Sequence, residues 1–147
     1  MLFRSFGATH AFESAAAAQE AVVEMTRGQG ADEALVTVGV VDEDVVSAAF
    51  DVVGKGGVVV VTGLANPAKL TVHVSGAVLT LFEKTIKGSL FGSGNPQRDI
   101  VKMLDLYQAG DLKLDELVTS RYSLDQVNQG YADLVAGKNI RGVVVHG

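Results

Sequence analysis

Two apolar runs leave this chain few folds to choose from. "ALVTV" (34–38) and "GVVVVT" (57–62) are apolar almost throughout. Strands of that kind belong to parallel sheets covered on both faces, since half-exposed strands alternate between apolar and polar. Between the two runs lies a helix-sized segment. Asp42, Glu43 and Asp44 open it, where negative charge suits the helix N-terminus. Val45, Val46, Ala49, Phe50 and Val53 recur on one face, and Gly54 stops it. Strand, helix and strand of these lengths predict a βαβ unit.

The flanking segments extend the pattern. Residues 8–12 read as a short strand, and Ser14 caps a helix over 15–27 that ends at Gly28 and Gly30. After Asn66-Pro67, "LTVHV" (70–74) alternates like an edge or interface strand. "SGAVLTLFE" (75–83) reads as a short helix and "TIKGSLF" (85–91) as a strand. The texture changes at residue 92. Asn95 caps and Pro96 begins a helix whose apolar face is Ile100, Val101, Leu104 and Tyr107, with Gly110 after it. "LVTSRY" (117–122) is a strand, and Ser123-x-x-Gln126 is the capping box of a helix near 124–136. Val127, Tyr131, Leu134 and Val135 face inward there, and "IRGVVVH" (140–146) closes as a strand. The expected fold is α/β: the back half of a Rossmann-type parallel sheet, incomplete at its front, followed by a C-terminal α+β segment.

Composition narrows the function. With 147 residues, 48% hydrophobic and 20% charged, the chain is globular in type. Its net charge of −5 argues against a nucleic-acid or anionic-membrane surface, and no apolar run reaches the roughly 20 residues of a membrane span. Cysteine is absent, so there is neither a disulfide framework nor a thiolate zinc site, as suits a cytoplasmic protein. His10, His73 and His146 lack metal-ligand spacing, and no metal ligands are expected here. Residues 1–5 are expected to be a non-native leader, because Leu2–Ser5 back-translates to CTC TTC CGA TCT, the tail of a sequencing adapter.

No complete active site is legible. A dinucleotide fingerprint needs three glycines between a strand and a helix. "GQGADE" (28–33) has Glu33 at the third position and follows a helix, while "GKGG" (54–57) precedes its strand. Both read as turns. No nucleophile elbow, Walker loop or His-Glu-x-x-His occurs. What remains is the lining of a crevice, since ligands of open α/β sheets sit beyond the carboxyl ends of the strands. Three such ends can be read: Thr37-Val38-Gly39, Thr62-Gly63-Leu64 and Ser89-Leu90-Phe91. Glycine there admits a ligand close to the backbone.

These pieces, in this order, resemble the C-terminal part of the medium-chain zinc-dependent alcohol dehydrogenases. The resemblance runs from "FGATHAF" through "GADEALVTVG" and "KGGVVVVTGLA". It is strongest at "EKTIKGSLFGSGNPQRDI" and "LKLDELVTSRYSLDQVNQGYADLVAGKNIRGVVV", which look most like the nicotinoprotein-like subgroup. It implies that 6–91 is the C-terminal half of an NAD-binding domain and 92–147 the return segment of the catalytic domain. Thr37, Val38 and Gly39 would line the ribose and nicotinamide side of a partial NAD site. Thr62, Ser89 and Phe91 would offer backbone groups to the carboxamide, beside Gly63 and Leu64. Leu90 would face the substrate pocket and Arg141 the pyrophosphate, although an arginine before a strand can equally face solvent. Val40 stands where some members carry an arginine near the cofactor. The stretch 70–91 would be the interface of a homo-oligomer.

The resemblance places the glycine fingerprint and the zinc ligands upstream. The parent would pass hydride between an alcohol or aldehyde and NAD with zinc as Lewis acid, and this chain alone would be inactive. Two alternatives stay open: a zinc-independent quinone or enone reductase of the same superfamily, and a non-catalytic module that pairs through 70–91.

Overall fold

The structure is a computed structural model that describes residues 3–65 and 71–146. The chain divides into two compact units, Met1–Gly94 and Asn95–Gly147.

The first unit is built on a parallel three-stranded sheet in the order β1 (Ala31–Val36), β3 (Val53–Val61), β5 (Thr85–Gly88). Helix α1 (Ala15–Met25) starts at Ser14, whose hydroxyl accepts from the Ala17 amide. Helix α2 (Glu43–Val52) starts at Asp42, whose carboxylate accepts from the Val45 amide at 2.9 Å. The βαβ unit is therefore β1–α2–β3. Val46 and Phe50 on α2, each 1% exposed, sit on Val36, Val53 and Val59 to form the core. The short helix α3 (Gly76–Leu81) adds Val78 and Leu79, and β5 adds Ile86. Lys84 clamps this face, with its ammonium 4.6 Å above the Phe50 ring and donating to the Phe50 carbonyl at 2.7 Å.

Four readings need correction. Residues 8–12 form no strand and no described strand lies beside them, so their backbone has no ladder to join. Residues 71–74 form no strand either; residue 70 lies outside the described residues. Side chains tie that segment to α2 instead: Glu43 pairs with His73 at 2.8 Å and accepts from Thr71, while Ser47 donates to the His73 carbonyl. Third, the sheet is covered on one face only among the described residues. Leu35, whose register partner is Val60, is 64% exposed. Fourth, "GKGG" lies within β3 as a bulge. Ala31 pairs with Val53 and Glu33 with Val58, so residues 54–57 stand opposite Asp32 alone. "GQGADE" does turn, with Gly28 and Gly30 at φ of 87° and 83°.

The second unit holds α4 (Pro96–Gln108), the parallel pair β6 (Val118–Tyr122) and β7 (Arg141–Val144), and α5 (Val127–Val135). Asn95 caps α4 with Pro96 in its first turn, and the Ser123–Gln126 capping box is formed. None of its described residues is fully buried.

Candidate functional site

Three parallel strands in adjacent order end on one edge, so the sheet itself gathers the three tripeptides. Thr37-Val38-Gly39 leaves β1, Thr62-Gly63-Leu64 leaves β3 and Ser89-Leu90-Phe91 leaves β5. Val36, Val61 and Gly88, the residues before them, are register partners across the sheet.

Local bonds fix which backbone groups face outward. The Thr62 amide and hydroxyl both donate to the Val36 carbonyl, each at 3.0 Å. The Ser89 amide donates to the Val61 carbonyl at 2.9 Å. The ladder thus uses the N–H groups of Thr62 and Ser89, and their carbonyls are what those residues can present to a ligand. After Ser89 the backbone turns left-handed at three successive residues, with φ of 49° at Phe91, 70° at Gly92 and 55° at Ser93. The Ser93 and Ser89 hydroxyls meet at 3.1 Å and brace this turn.

The first two tripeptides are joined by a small sheet that the sequence did not announce. Beyond the main ladder, β2 (Val40–Val41) pairs in parallel with β4 (Leu64–Ala65). Gly63 is pressed against this link, where a Cβ would lie 2.4 Å from the Val38 carbonyl oxygen and 2.7 Å from a Val41 methyl. No Cβ clash meets Gly39, which faces open space. The rim is apolar and wet: Val40, Leu64, Leu90 and Phe91 are 71%, 73%, 67% and 83% exposed.

Arg141 belongs to the second unit, where it opens β7 opposite Val118. Its side chain is exposed and pairs with no carboxylate among the described residues. It borders a cavity of about 290 Å³ between α5 and the β6–β7 pair, shared with Tyr122, Val127, Leu134 and Asn139. Beside it runs a polar chain that sequence reasoning missed. Asn139 Nδ2 donates to Tyr122 Oη at 2.9 Å, and Tyr122 Oη donates to Asp133 Oδ2 at 3.0 Å. Lys138 and Gln129 donate to the other oxygen of Asp133. Hydrogen bonds from Lys138, Gln129 and Tyr122 hold the Asp133 carboxyl below its ordinary range.

No group of three or more His, Asp or Glu able to hold a metal occurs among the described residues, and the sequence has no cysteine. These residues do not fit a zinc ion. No helix among the described residues is long and apolar enough to cross a membrane.

Comparison with known proteins bears on this site. Residues 1–109 match the profile of the family described as zinc-binding dehydrogenase. The chain is 69% identical over 140 residues to the NDMA-dependent alcohol dehydrogenase of Amycolatopsis methanolica, covering 95% of this chain and 38% of that one. Among solved structures it is similar to an alcohol dehydrogenase zinc-binding domain protein from Burkholderia ambifaria, with a TM-score of 0.86 and 30% identity over 99% of this chain. It is also similar to benzyl alcohol dehydrogenase from Acinetobacter calcoaceticus, with a TM-score of 0.83 and 29% identity over 97% of this chain. The chain spans 38% of the length of each of these three relatives.

Proposed function

The chain belongs to the zinc-binding dehydrogenase family, and from that premise we propose that it carries the nicotinamide side of a cofactor cleft in an alcohol dehydrogenase. The observation that carries this reading is the row of three strand ends. A carboxamide has two N–H donors and one acceptor oxygen. The carbonyls of Thr62 and Ser89 complement the donors, and the Phe91 amide complements the oxygen. Thr37, Val38 and Gly39 would border the ribose, with Gly63 and Leu64 alongside the ring and Leu90 toward the substrate. Arg141 would meet the pyrophosphate, for which a guanidinium is suited in charge and geometry.

When bound, NAD supplies the hydride acceptor for an alcohol, or in reduced form the donor for an aldehyde. This chain's part is to hold and orient the ring. Among the described residues no side-chain group fits zinc. The chain alone is proposed to be inactive, with residues 6–91 as the back half of the cofactor domain and 92–147 as the return to the catalytic domain. The stretch 70–91 is proposed as the interface between copies, supported by the exposed apolar side chains of Val72, Leu81 and Phe82.

Ligand exchange tests the cleft directly. Nicotinamide mononucleotide and its nicotinic-acid analogue differ only where the amide donors become a carboxylate. Saturation-transfer NMR on the chain should show the amide form binding about tenfold or more tightly, because carbonyls paired with N–H donors reject a ligand without them. Equal affinity would remove the carboxamide site.

A further inference from the structure

We infer that Tyr122, Asp133 and Asn139 are positioning residues that set the turn delivering Arg141, and through it the grip on a pyrophosphate. This deepens the proposed role of Arg141 and rests on it.

The direction of the hydrogen-bond chain is forced. An ionised carboxylate only accepts, so the Tyr122 hydroxyl must donate to Asp133. Its oxygen can then only accept, and Asn139 must turn its NH2 toward it. One consequence is visible: Asn139 Oδ1 is buried without a partner among the described residues. An unpaired buried acceptor is unfavourable, so the amide is oriented by the chain rather than by its own satisfaction.

The turn is pinned at every residue before Arg141. The Lys138 backbone amide donates to the Asp133 carbonyl at 2.9 Å and its ammonium to the Asp133 carboxylate at 3.2 Å. Asn139 is held by Tyr122, and the Ile140 amide donates to Thr119 Oγ1 at 2.9 Å. The ring of Tyr122 cannot drift, because two glycines close on it. A Cβ on Gly142 would lie 2.8 Å from the ring and one on Gly130 3.3 Å from it. Hence the hydroxyl is a fixed point from which the turn is hung. Arg141 emerges next, paired with no carboxylate among the described residues.

The test uses the 147-residue chain, inorganic pyrophosphate as probe, and Tyr122→Phe, which keeps the ring and removes only the hydroxyl. NMR follows the Arg141 Nε–H signal during titration and the hydrogen exchange of the Ile140 amide. The expected result is pyrophosphate binding weakened about threefold to tenfold, the worth of one hydrogen bond, with faster Ile140 exchange. In an Arg141→Ala background the same change should cause no further weakening, since a residue acting through another adds nothing once that other is gone. Asn139→Ala, from the other end of the chain, should reproduce both effects. Unchanged Ile140 exchange in a folded variant overturns the positioning role, as does an equal loss of binding with and without Arg141. A pyrophosphate response untouched by Arg141→Ala overturns the role proposed for Arg141 itself; Ile140 exchange then still reports separately on the turn.

Discussion

The Cβ that Gly63 lacks would lie 2.4 Å from the carbonyl oxygen of Val38. That contact joins two of the three strand ends. Gly63→Ala should push the loop after β1 away from the loop after β3 and cost about 1–3 kcal/mol, as other overpacking changes do. Urea unfolding measures the cost. A variant as stable as the parent would show that the two loops part freely.

Phe50 anchors the core and carries Lys84 on its ring face. Phe50→Ala should cost about 3–5 kcal/mol, while Lys84→Met should cost much less, because what is lost is the ammonium's contacts with the Phe50 and Phe82 rings and one hydrogen bond. Chemical denaturation of both variants checks the ranking.

Asp133 gives stability an acid limb. Its folded carboxyl titrates below the ordinary range because Lys138, Gln129 and Tyr122 donate to the ionised form. A group lowered on folding contributes above its unfolded pKa and loses that contribution as pH falls through the folded value. Asp133→Asn should therefore flatten the stability of the chain between neutral and acid pH. Thermal melts across that range read the difference.

Tyr107 acts at the other end of the scale. Its hydroxyl donates to Asp115 at 2.7 Å, and that bond, with the carboxylate's charge, raises its folded pKa. The contribution is complete below the ordinary tyrosine pKa and disappears as pH rises through the higher folded value. Absorbance titration should show Tyr107 ionising late, and the difference between the parent and Tyr107→Phe curves isolates that phase.

What the sequence made legible was local. Caps at Ser14, Asp42, Asn95 and Ser123 each lie within four residues of the amide or side chain they bind, so short motifs report them. The strand ends were legible because glycines and threonines mark them. Strand status at 8–12 and 71–74 depended on neighbours far along the chain, and alternation alone cannot supply those. Coverage of both sheet faces was read from apolar content, yet the helix between β1 and β3 covers only the face of Val36 and Val59. The chain from Asn139 through Tyr122 to Asp133 carries no motif, because the three meet only after β6 pairs with β7 and α5 closes over them.

The bulge of β3 has a consequence for insertions. Val53 and Val59 are both buried against α2 although residues 54–57 interrupt the ladder between them. The ladder resumes at Glu33 and Val58, so pairing with β1, and not the length of the interruption, decides which way Val59 points and where Thr62 stands. The bulge is thus a buffer: an extra glycine within 54–57 should be absorbed there, while one inserted between Val58 and Val61 would turn the residues beyond it to the opposite face.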